Sequence, residues 1–253
     1  MLISMVDIFG KILKGYLNGD TPFYNIRRGD GNYCCIDTSN YFTNYQDWSN
    51  CEKEIISNYA QGRVLDVGAG AGRHSLFLKN RGLEVHSVDN SSFAVNLMKI
   101  RGLNNVHLMD LRKMDFPDAY FNSVLMISND LGFAGSIKDT RKFLKNLFRI
   151  VKPDGKIIVT VRDPNRYISK SQESFVYNNH ERRLAKIVDK IRLRLEYKNE
   201  LGDWFYSILA SPEELKNLIK GTGWVISRTI ENNDCNFYGV IMKKKTDIKK
   251  ERI

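Results

Sequence analysis

Three glycines stand at alternate positions directly after a short apolar run, in the sequence Asp66-Val67-Gly68-Ala69-Gly70-Ala71-Gly72. Glycine lets the chain turn sharply there and lets a ligand lie against bare backbone, whose amides near a helix start can donate hydrogen bonds. A second apolar run ends at Asp89, where a carboxylate can accept hydrogen bonds from both hydroxyls of a ribose. The loop and the acid together predict a nucleoside-binding site between a strand and a helix.

Two nucleoside cofactors compete for this pattern. A dinucleotide-binding loop usually has the spacing Gly-x-Gly-x-x-Gly, and its last glycine would fall where this chain has Arg73. Asp66 fits poorly with a pyrophosphate and well with a cationic ligand. The loop therefore favours S-adenosylmethionine over a nicotinamide dinucleotide, and an NAD-dependent Rossmann oxidoreductase is the less favoured alternative.

The elements that must position these residues alternate between strands and helices. Apolar runs predict strands at Val64–Val67, Glu84–Asp89, Val106–Met109, Ser123–Ile127 and Lys156–Val161, a turn at Lys152–Gly155, and helices over Arg73–Arg81, from Ser91 or Ser92 to Ile100, and over Ile137–Val151. Repeated units of this kind force parallel strands with right-handed crossovers, so we expect an α/β fold with a doubly wound, mostly parallel sheet. Ligands bind at the carboxyl ends of the strands in such sheets.

The pattern changes outside this repeat. We expect residues 1–60 to form an N-terminal helical cap or lid, because the first twenty residues have an amphipathic pattern. Residues 61–162 and 211–245 form the Rossmann-like domain, with a helix starting at Ser211-Pro212 and two closing strands, and residues 246–253 form a basic tail. Strict alternation after residue 190 indicates that residues 163–210 are an inserted antiparallel element over the ligand edge.

Four segments resemble motifs of the class I, Rossmann-like S-adenosylmethionine-dependent methyltransferases. Val64–Gly72 looks like the first motif of that family and His86–Asp89 like the second; Asp110-Leu111 is similar to the adenine-contacting position, and Val151–Lys156 to the loop before the fifth strand. The resemblance spans roughly residues 60–162 and 211–242, and it implies S-adenosylmethionine as cofactor and S-adenosylhomocysteine as product.

The resemblance also implies roles for particular residues. The glycines would lie against the methionine part and the ribose, Asp66 would face the amino group, Asp89 would take the ribose hydroxyls, and Asp110 with the Leu111 amide would contact the adenine. The expected cofactor-binding residues are Asp66, Gly68, Ala69, Gly70, Gly72, Asp89, Asn90, Asp110, Leu111 and Ser128, together with Tyr41 of the N-terminal segment near the sulfonium.

The segment after the fourth predicted strand is placed where the methyl acceptor should arrive. Methyl transfer from a sulfonium is an in-line displacement, in which the protein aligns a neutral nucleophile in a water-poor cleft. Asn129 and Asp130 supply acceptors that could orient an N–H group, so they are the candidate catalytic residues, and Phe133 could pack against a planar group. The segment resembles that of some amine methyltransferases but lacks the Asp/Asn-Pro-Pro-Tyr pattern of many base-amine enzymes. The alternative is that Asn129 only shapes the turn.

Two classes of acceptor remain open. The 253 residues carry a net charge of +10, and Glu181–Lys198 and Lys243–Ile253 supply most of it, which is typical of a phosphate-binding surface. Arg192 and Arg194 are therefore candidate substrate contacts for RNA. The compact size without a separate recognition domain favours a small amine or metabolite instead. A non-catalytic S-adenosylmethionine-binding or scaffold protein is a further alternative.

The remaining features exclude other classes of protein. There is no apolar stretch of membrane-spanning length and no pattern of a secretory signal, so we expect a cytoplasmic protein with no membrane partner. The four cysteines, Cys34, Cys35, Cys51 and Cys235, lack zinc-ligand spacing, so we expect no metal and interpret them as reduced, buried thiols. The sequence leaves the oligomeric state open.

Overall fold

The computed structural model of the chain describes residues 6–128, 130–163, 189–231 and 237–245. Within these residues the strands are β1 Phe23–Arg28, β2 Tyr33–Asp37, β3 Arg63–Val67, β4 Glu84–Asp89, β5 Asn105–Leu108, β6 Phe121–Met126, β7 Val151–Arg162, β8 Asp189–Tyr197, β9 Glu200–Leu201, β10 Phe205–Leu209, β11 Trp224–Ile230 and β12 Phe237–Lys244. The α-helices are α1 Ile8–Leu17, α2 Asn50–Tyr59, α3 Arg73–Asn80, α4 Ser92–Ile100, α5 Ile137–Ile150 and α6 Pro212–Ile219.

The central sheet has the order β5-β4-β3-β6-β7-β12-β11. The first five of these strands are parallel, and β12 pairs antiparallel with both β7 and β11. The predicted doubly wound, mostly parallel fold is confirmed. This order places the carboxyl ends of β3 and β4 side by side, because β3 pairs directly with β4.

Residues of the central strands alternate between two hydrophobic layers. Leu65 and Ile157 face a core that α5 and α6 cover, whereas Val64 and Ile158 face a second core that α2 and α3 cover. This alternation follows from the two-residue period of a strand, and strands buried on both faces are apolar at almost every position. The two cores fix the sheet between layers of helices, so its carboxyl edge is a rigid platform.

Local capping signals set where several helices begin. Ser211 accepts a hydrogen bond from the Glu214 amide, the Glu214 carboxylate accepts from the Ser211 amide, and Pro212 occupies the first turn. This capping box confirms the predicted start of α6. Ser91 caps α4 through a 3.1 Å bond from the Ala94 amide, and Asp7 caps α1 through a 2.7 Å bond from the Gly10 amide.

An antiparallel part of the same twelve-stranded sheet, called the antiparallel sheet below, has the order β2-β1-β8-β10 and joins β7 where Leu209 pairs with Arg162. Its strands β8, β9 and β10 lie in the predicted antiparallel insertion. The hairpin β1-β2 is an addition to the expected helical cap: residues 1–60 contain α1 and α2 but also these two strands. The turn Asp30-Gly31 between two β-prone runs is the local signal that indicates such a hairpin.

Two smaller expectations are wrong. The predicted turn Lys152–Gly155 lies inside β7, where the register with β6 shifts between Phe121 and Ser123, so the extra residues form a bulge instead of ending the strand. Cys34 and Cys35 are exposed, because they lie on the hairpin strand at the sheet edge, whereas Cys51 is buried. Cys235 lies outside the described residues.

The helices in the described part of the chain are all too short or too polar to cross a membrane. Among the same residues, no group of three or more His, Cys, Asp and Glu side chains could hold a metal ion.

Candidate active site

The glycine loop joins β3 to α3 at the carboxyl edge of the central sheet. Gly68, Gly70 and Gly72 have φ values of 71°, 57° and 80°, in the left-handed region that L side chains rarely adopt. The Gly68 and Ala69 amides donate to the Val88 carbonyl oxygen of β4 over 2.9 and 3.1 Å. These bonds hold the loop against the end of β4, where Asp89 is the last strand residue.

Gly72 has a different role from the other two glycines. A Cβ atom at this position would lie 2.9 Å from both Leu103 Cδ1 and Met98 Cγ. Gly72 therefore permits close packing of the start of α3 against the region around the end of α4, and it does not line the cleft next to the loop.

Asp89 is almost completely buried at the end of β4, with 7% of its surface exposed. One carboxylate oxygen accepts a 2.8 Å bond from the Gly70 amide and the other accepts a 2.9 Å bond from the Ser91 amide. Burial raises the pKa of Asp89 to about 6, although the hydrogen bonds from the amides lower it. The negative charge of Asp7 adds to the rise. The Asn90 amide also stabilises the ionised form, and because a carboxylate has about four lone-pair sites it can still accept a further donor.

Asp66, the last residue but one of β3, is held by a chain of hydroxyl groups. Ser75 donates to Asp66 Oδ2 over 2.6 Å, and Ser87 donates to Ser75 over 2.8 Å. Burial raises the pKa of Asp66, and the nearby His74 and Arg73 act in the opposite direction. The carboxylate is thus fixed beneath the loop and beside the cleft.

Asp110 lies beyond β5 and caps a short 3₁₀ helix, Leu111–Lys113. Its carboxylate accepts a 2.8 Å bond from the Arg112 amide and further bonds from the Arg112 guanidinium. These bonds to Arg112 lower the pKa of Asp110, so the group is ionised near neutral pH. Asp110 and Leu111 both line the cleft.

Aromatic rings of the N-terminal segment lie over the glycine loop. A Cβ atom added at Gly70 would lie 3.5 Å from both Phe9 Cζ and Tyr41 Cδ1. The two rings pack edge to face with centroids 5.0 Å apart, and the Tyr41 hydroxyl forms a 2.7 Å hydrogen bond with that of Tyr24. Tyr41 therefore lies against the glycine loop, and sequence reasoning missed Phe9 and Tyr24.

The acceptor segment follows β6. Ser128 has φ of 76° and donates its amide to Thr160 Oγ1 over 2.8 Å. Asn129 lies outside the described residues, and of Asp130 only the backbone is described, at the start of the 3₁₀ helix Asp130–Ala134. Phe133 of that helix is 37% exposed and packs edge to face on Phe205, with ring centroids 5.4 Å apart.

A cleft of about 1380 Å³ connects these features. Of the residues predicted for the site, it is lined by Asp66, Gly68, Ala69, Gly70, Asp89, Asn90, Asp110, Leu111, Ser128, Tyr41 and Phe133. Its opposite wall is the antiparallel sheet, including Ile26, Leu193 and Leu195. The carboxyl edge of the central strands and the antiparallel sheet thus enclose one space, which extends from Asp110 to Phe205.

Arg192 and Arg194 do not line this cleft. Their strand, β8, presents Ile191, Leu193 and Leu195 to the cleft, and side chains at alternate positions point to the other face of a sheet. Both guanidinium groups stack on Trp204, 4.4 and 4.5 Å from the ring centroid. The structure therefore separates the two arginines from the other predicted site residues.

Comparisons with known proteins agree with this geometry. Residues 64–155 match the family model described as "Methyltransferase domain". A glycine/sarcosine N-methyltransferase from Aphanothece halophytica is 29% identical over 134 residues, 49% of this chain and 50% of the relative. A demethylmenaquinone methyltransferase from Tropheryma whipplei (strain Twist) is 24% identical over 163 residues, 62% of this chain and 66% of the relative. The chain thus spans between half and two thirds of these curated relatives.

A solved structure shares the fold over nearly the whole chain. It is a SAM-dependent methyltransferase from Bacteroides fragilis in complex with S-adenosyl-L-homocysteine, with a TM-score of 0.78 and 22% identity, covering 96% of this chain and 98% of that one. Residues 64–155 therefore match a methyltransferase domain, and the chain has the fold of class I, Rossmann-like, S-adenosylmethionine-dependent methyltransferases. The resemblance stated from the four motifs, and the cofactor class that it implied, are confirmed for this domain.

Proposed function

We propose that the chain transfers a methyl group from S-adenosylmethionine to a small organic molecule bound between the glycine loop and the antiparallel sheet. The observation that carries this proposal is the cleft of about 1380 Å³, walled on the side opposite the loop by β1, β8 and β10. Sites for one ligand of drug size usually have about 300–1,000 Å³. The cleft has room for the cofactor and for a second small molecule.

The residues around the glycine loop fit the cofactor. Gly68 and Gly70 place no side chain beside the cleft, and Asp89 keeps acceptor capacity for a ribose hydroxyl. Asp66 places a buried carboxylate where the cationic amino group is expected, and Asp110 offers an acceptor at the adenine end. When bound, S-adenosylmethionine supplies the electrophilic methyl group on its sulfonium.

The chain's own contribution to the reaction is alignment and exclusion of water. Phe9 and Tyr41 cover the loop, so the reacting space is screened from solvent on that side. Ser128 and the following helix Asp130–Ala134 stand at the end of β6, next to the loop, where the nucleophile is expected. Alignment of two reactants in this manner can contribute ~7–11 kcal/mol to the lowering of a barrier.

The acceptor side of the cleft has an apolar strip next to the charged residues Arg28, Arg162 and Asp163. Ile26, Leu193 and Leu195 form the wall of the antiparallel sheet, and Phe133 with Phe205 forms an aromatic corner. This supports an acceptor with an apolar, planar body. We retain nitrogen as the attacking atom, with Asn129 and Asp130 as the residues that orient it. One curated relative is named for N-methylation, and the other is named for demethylmenaquinone.

The position of Arg192 and Arg194 gives no support to RNA as the acceptor. Neither residue lines the cleft, and both stack on Trp204 at its border. Arg27 on the neighbouring strand pairs with Glu196.

Transfer of a tritiated methyl group into a fractionated lysate tests the proposal. We expect label in the small-molecule fraction; label in RNA or protein, or no transfer by the unmodified chain, contradicts it. Adjacent positions on β8 provide a matched pair of variants. Leu193→Ala should lower transfer at limiting acceptor, because it removes part of the wall, whereas Arg192→Gln should not. The opposite pattern would favour a polyanionic acceptor on the outer face.

A further inference from the structure

Asp7 lies where the first turns of α1 and α4 meet. Its Oδ1 accepts the Gly10 amide of α1 over 2.7 Å, and its Oδ2 accepts the Ser91 hydroxyl over 2.8 Å and the Phe93 amide over 3.4 Å. One carboxylate thus joins the positive ends of two helices, which is a favourable place for a negative charge. The bond to Ser91 connects residues that are 84 positions apart in the sequence.

The two helices are in close contact at this point. A Cβ atom at Gly10 would lie 2.7 Å from Phe93 Cβ, so only glycine fits without displacement. The carboxylate of Asp7 and the contact at Gly10 hold α1 directly against the start of α4. Phe9, the residue before Gly10 in α1, then lies over Gly70.

Ser91 connects Asp7 to Asp89, the acid proposed to bind the ribose. The Ser91 amide donates to Asp89 Oδ1 over 2.9 Å, while its hydroxyl donates to Asp7. Asp7 and Asp89 both line the cleft. The negative charge of Asp7 contributes to the raised pKa of Asp89. Ser91 therefore contacts both the residue that caps α1 and the acid proposed to bind the ribose.

We propose that Asp7 is a positioning residue of the cofactor site. By its hydrogen bond to Ser91, Asp7 holds α1 across the ribose end of the cleft, and this keeps Phe9 over the glycine loop. This inference rests on the proposed binding of S-adenosylmethionine. It assigns no contact between Asp7 and the reacting atoms. Its consequence is that cofactor binding and the contact of α1 with the start of α4 stabilise each other.

The variant Asp7→Ser separates this role from simple helix capping. Serine caps a helix about as well as aspartate, but its shorter side chain does not reach Ser91 or the Phe93 amide. Asp20→Ser is the matched control, because Asp20 follows the other end of α1 and binds Lys198 over 2.7 Å, outside the cleft. The measurements are the affinity for S-adenosylhomocysteine by calorimetry and the hydrogen exchange of α1 amides with and without that ligand.

We expect Asp7→Ser to weaken S-adenosylhomocysteine about tenfold, the loss of a hydrogen bond to a charged group, and to abolish the ligand-induced protection of α1. Asp20→Ser should retain both. Unchanged affinity and protection in Asp7→Ser, with normal binding by the unmodified chain, overturn this inference alone. A lower melting temperature without a change in affinity does the same, because it leaves only the cap. Failure of the unmodified chain to bind the ligand overturns both proposals, whereas binding without methyl transfer overturns only the proposed function.

Discussion

Acidification from about pH 8 to about pH 5 should weaken the binding of S-adenosylhomocysteine, because it protonates Asp89. Burial raises the pKa of this carboxyl group to about 6 in the ligand-free site. Hydroxyl groups of a ribose donate to the ionised form, so the bound state favours ionisation. At about pH 5, roughly one molecule in ten carries the ionised group, so the affinity should fall about tenfold, or ~1.4 kcal/mol, relative to pH 8.

Calorimetry at several pH values, repeated in two buffers with different heats of ionisation, measures both the affinity and the protons released. Near pH 6 about half of the sites are protonated, so binding should release roughly half a proton. The control is Asp89→Ala, which should weaken binding by ~1.5–3 kcal/mol at pH 8, because charge-assisted hydrogen bonds are lost. This variant should also lose the pH dependence between pH 5 and pH 7.

Three results would contradict this reasoning. A wild-type affinity that is constant from pH 5 to pH 7 would show that Asp89 is not the titrating acceptor. An Asp89→Ala variant with the same slope as the unmodified chain would assign the dependence to another group. An affinity of this variant within error of the wild type would remove Asp89 from the site altogether.

Three further predictions concern stability without ligand. A raised pKa in the folded chain means that the stability contributed by Asp89 is full below about pH 4 and is lost as the pH rises through about 6, by at most ~3 kcal/mol for a rise from 3.8 to about 6; the free energy of unfolding should therefore fall more steeply between about pH 4 and about pH 7 in the unmodified chain than in Asp89→Ala, and identical pH profiles of the two would contradict this. Gly72→Ala should destabilise by ~1–3 kcal/mol in chemical denaturation, because its Cβ would lie 2.9 Å from Met98 and Leu103 at a φ of 80°; an unchanged midpoint would show that the helix region yields. Burial first, and then the charges of His86 and Lys99, lower the pKa of His107, so stability should fall as the pH drops below about 6.5, and His107→Gln should reduce that loss in thermal scans; an identical pH profile would exclude His107.

The parts of the fold that local sequence determines were predictable. The capping box at Ser211, the strand before the glycine loop and the acid that ends β4 each depend on residues a few positions apart, and the structure has them at the expected places. The pairing of β1 with β8 was not predictable in this way, because it joins Ile26 to Leu195 across most of the chain. Cross-strand partners at such separation leave no periodic signal in either strand.

The candidate site shows the same division. The alternation of β8 requires that Arg192 and Arg194 share one face and that Leu193 has the other, but only the tertiary structure decides which face is turned to the cleft. Similarly, the amphipathic start of the chain predicts α1. The hydrogen bond between Asp7 and Ser91 was not predictable, because it depends on a helix far along the sequence. The charge composition favoured Arg192 and Arg194 as substrate contacts, whereas in the structure the neighbouring apolar residues line the cleft.

The antiparallel sheet has a consequence for synthesis of the chain. The hairpin β1-β2 leaves the ribosome early, but its partner β8 is translated long after the glycine loop and Asp89. Until then the edge of β1 that later pairs with β8 exposes unpaired backbone groups, a surface prone to wrong pairing. A nascent chain therefore contains the glycine loop and Asp89 before β8 is available to form the opposite wall of the cleft.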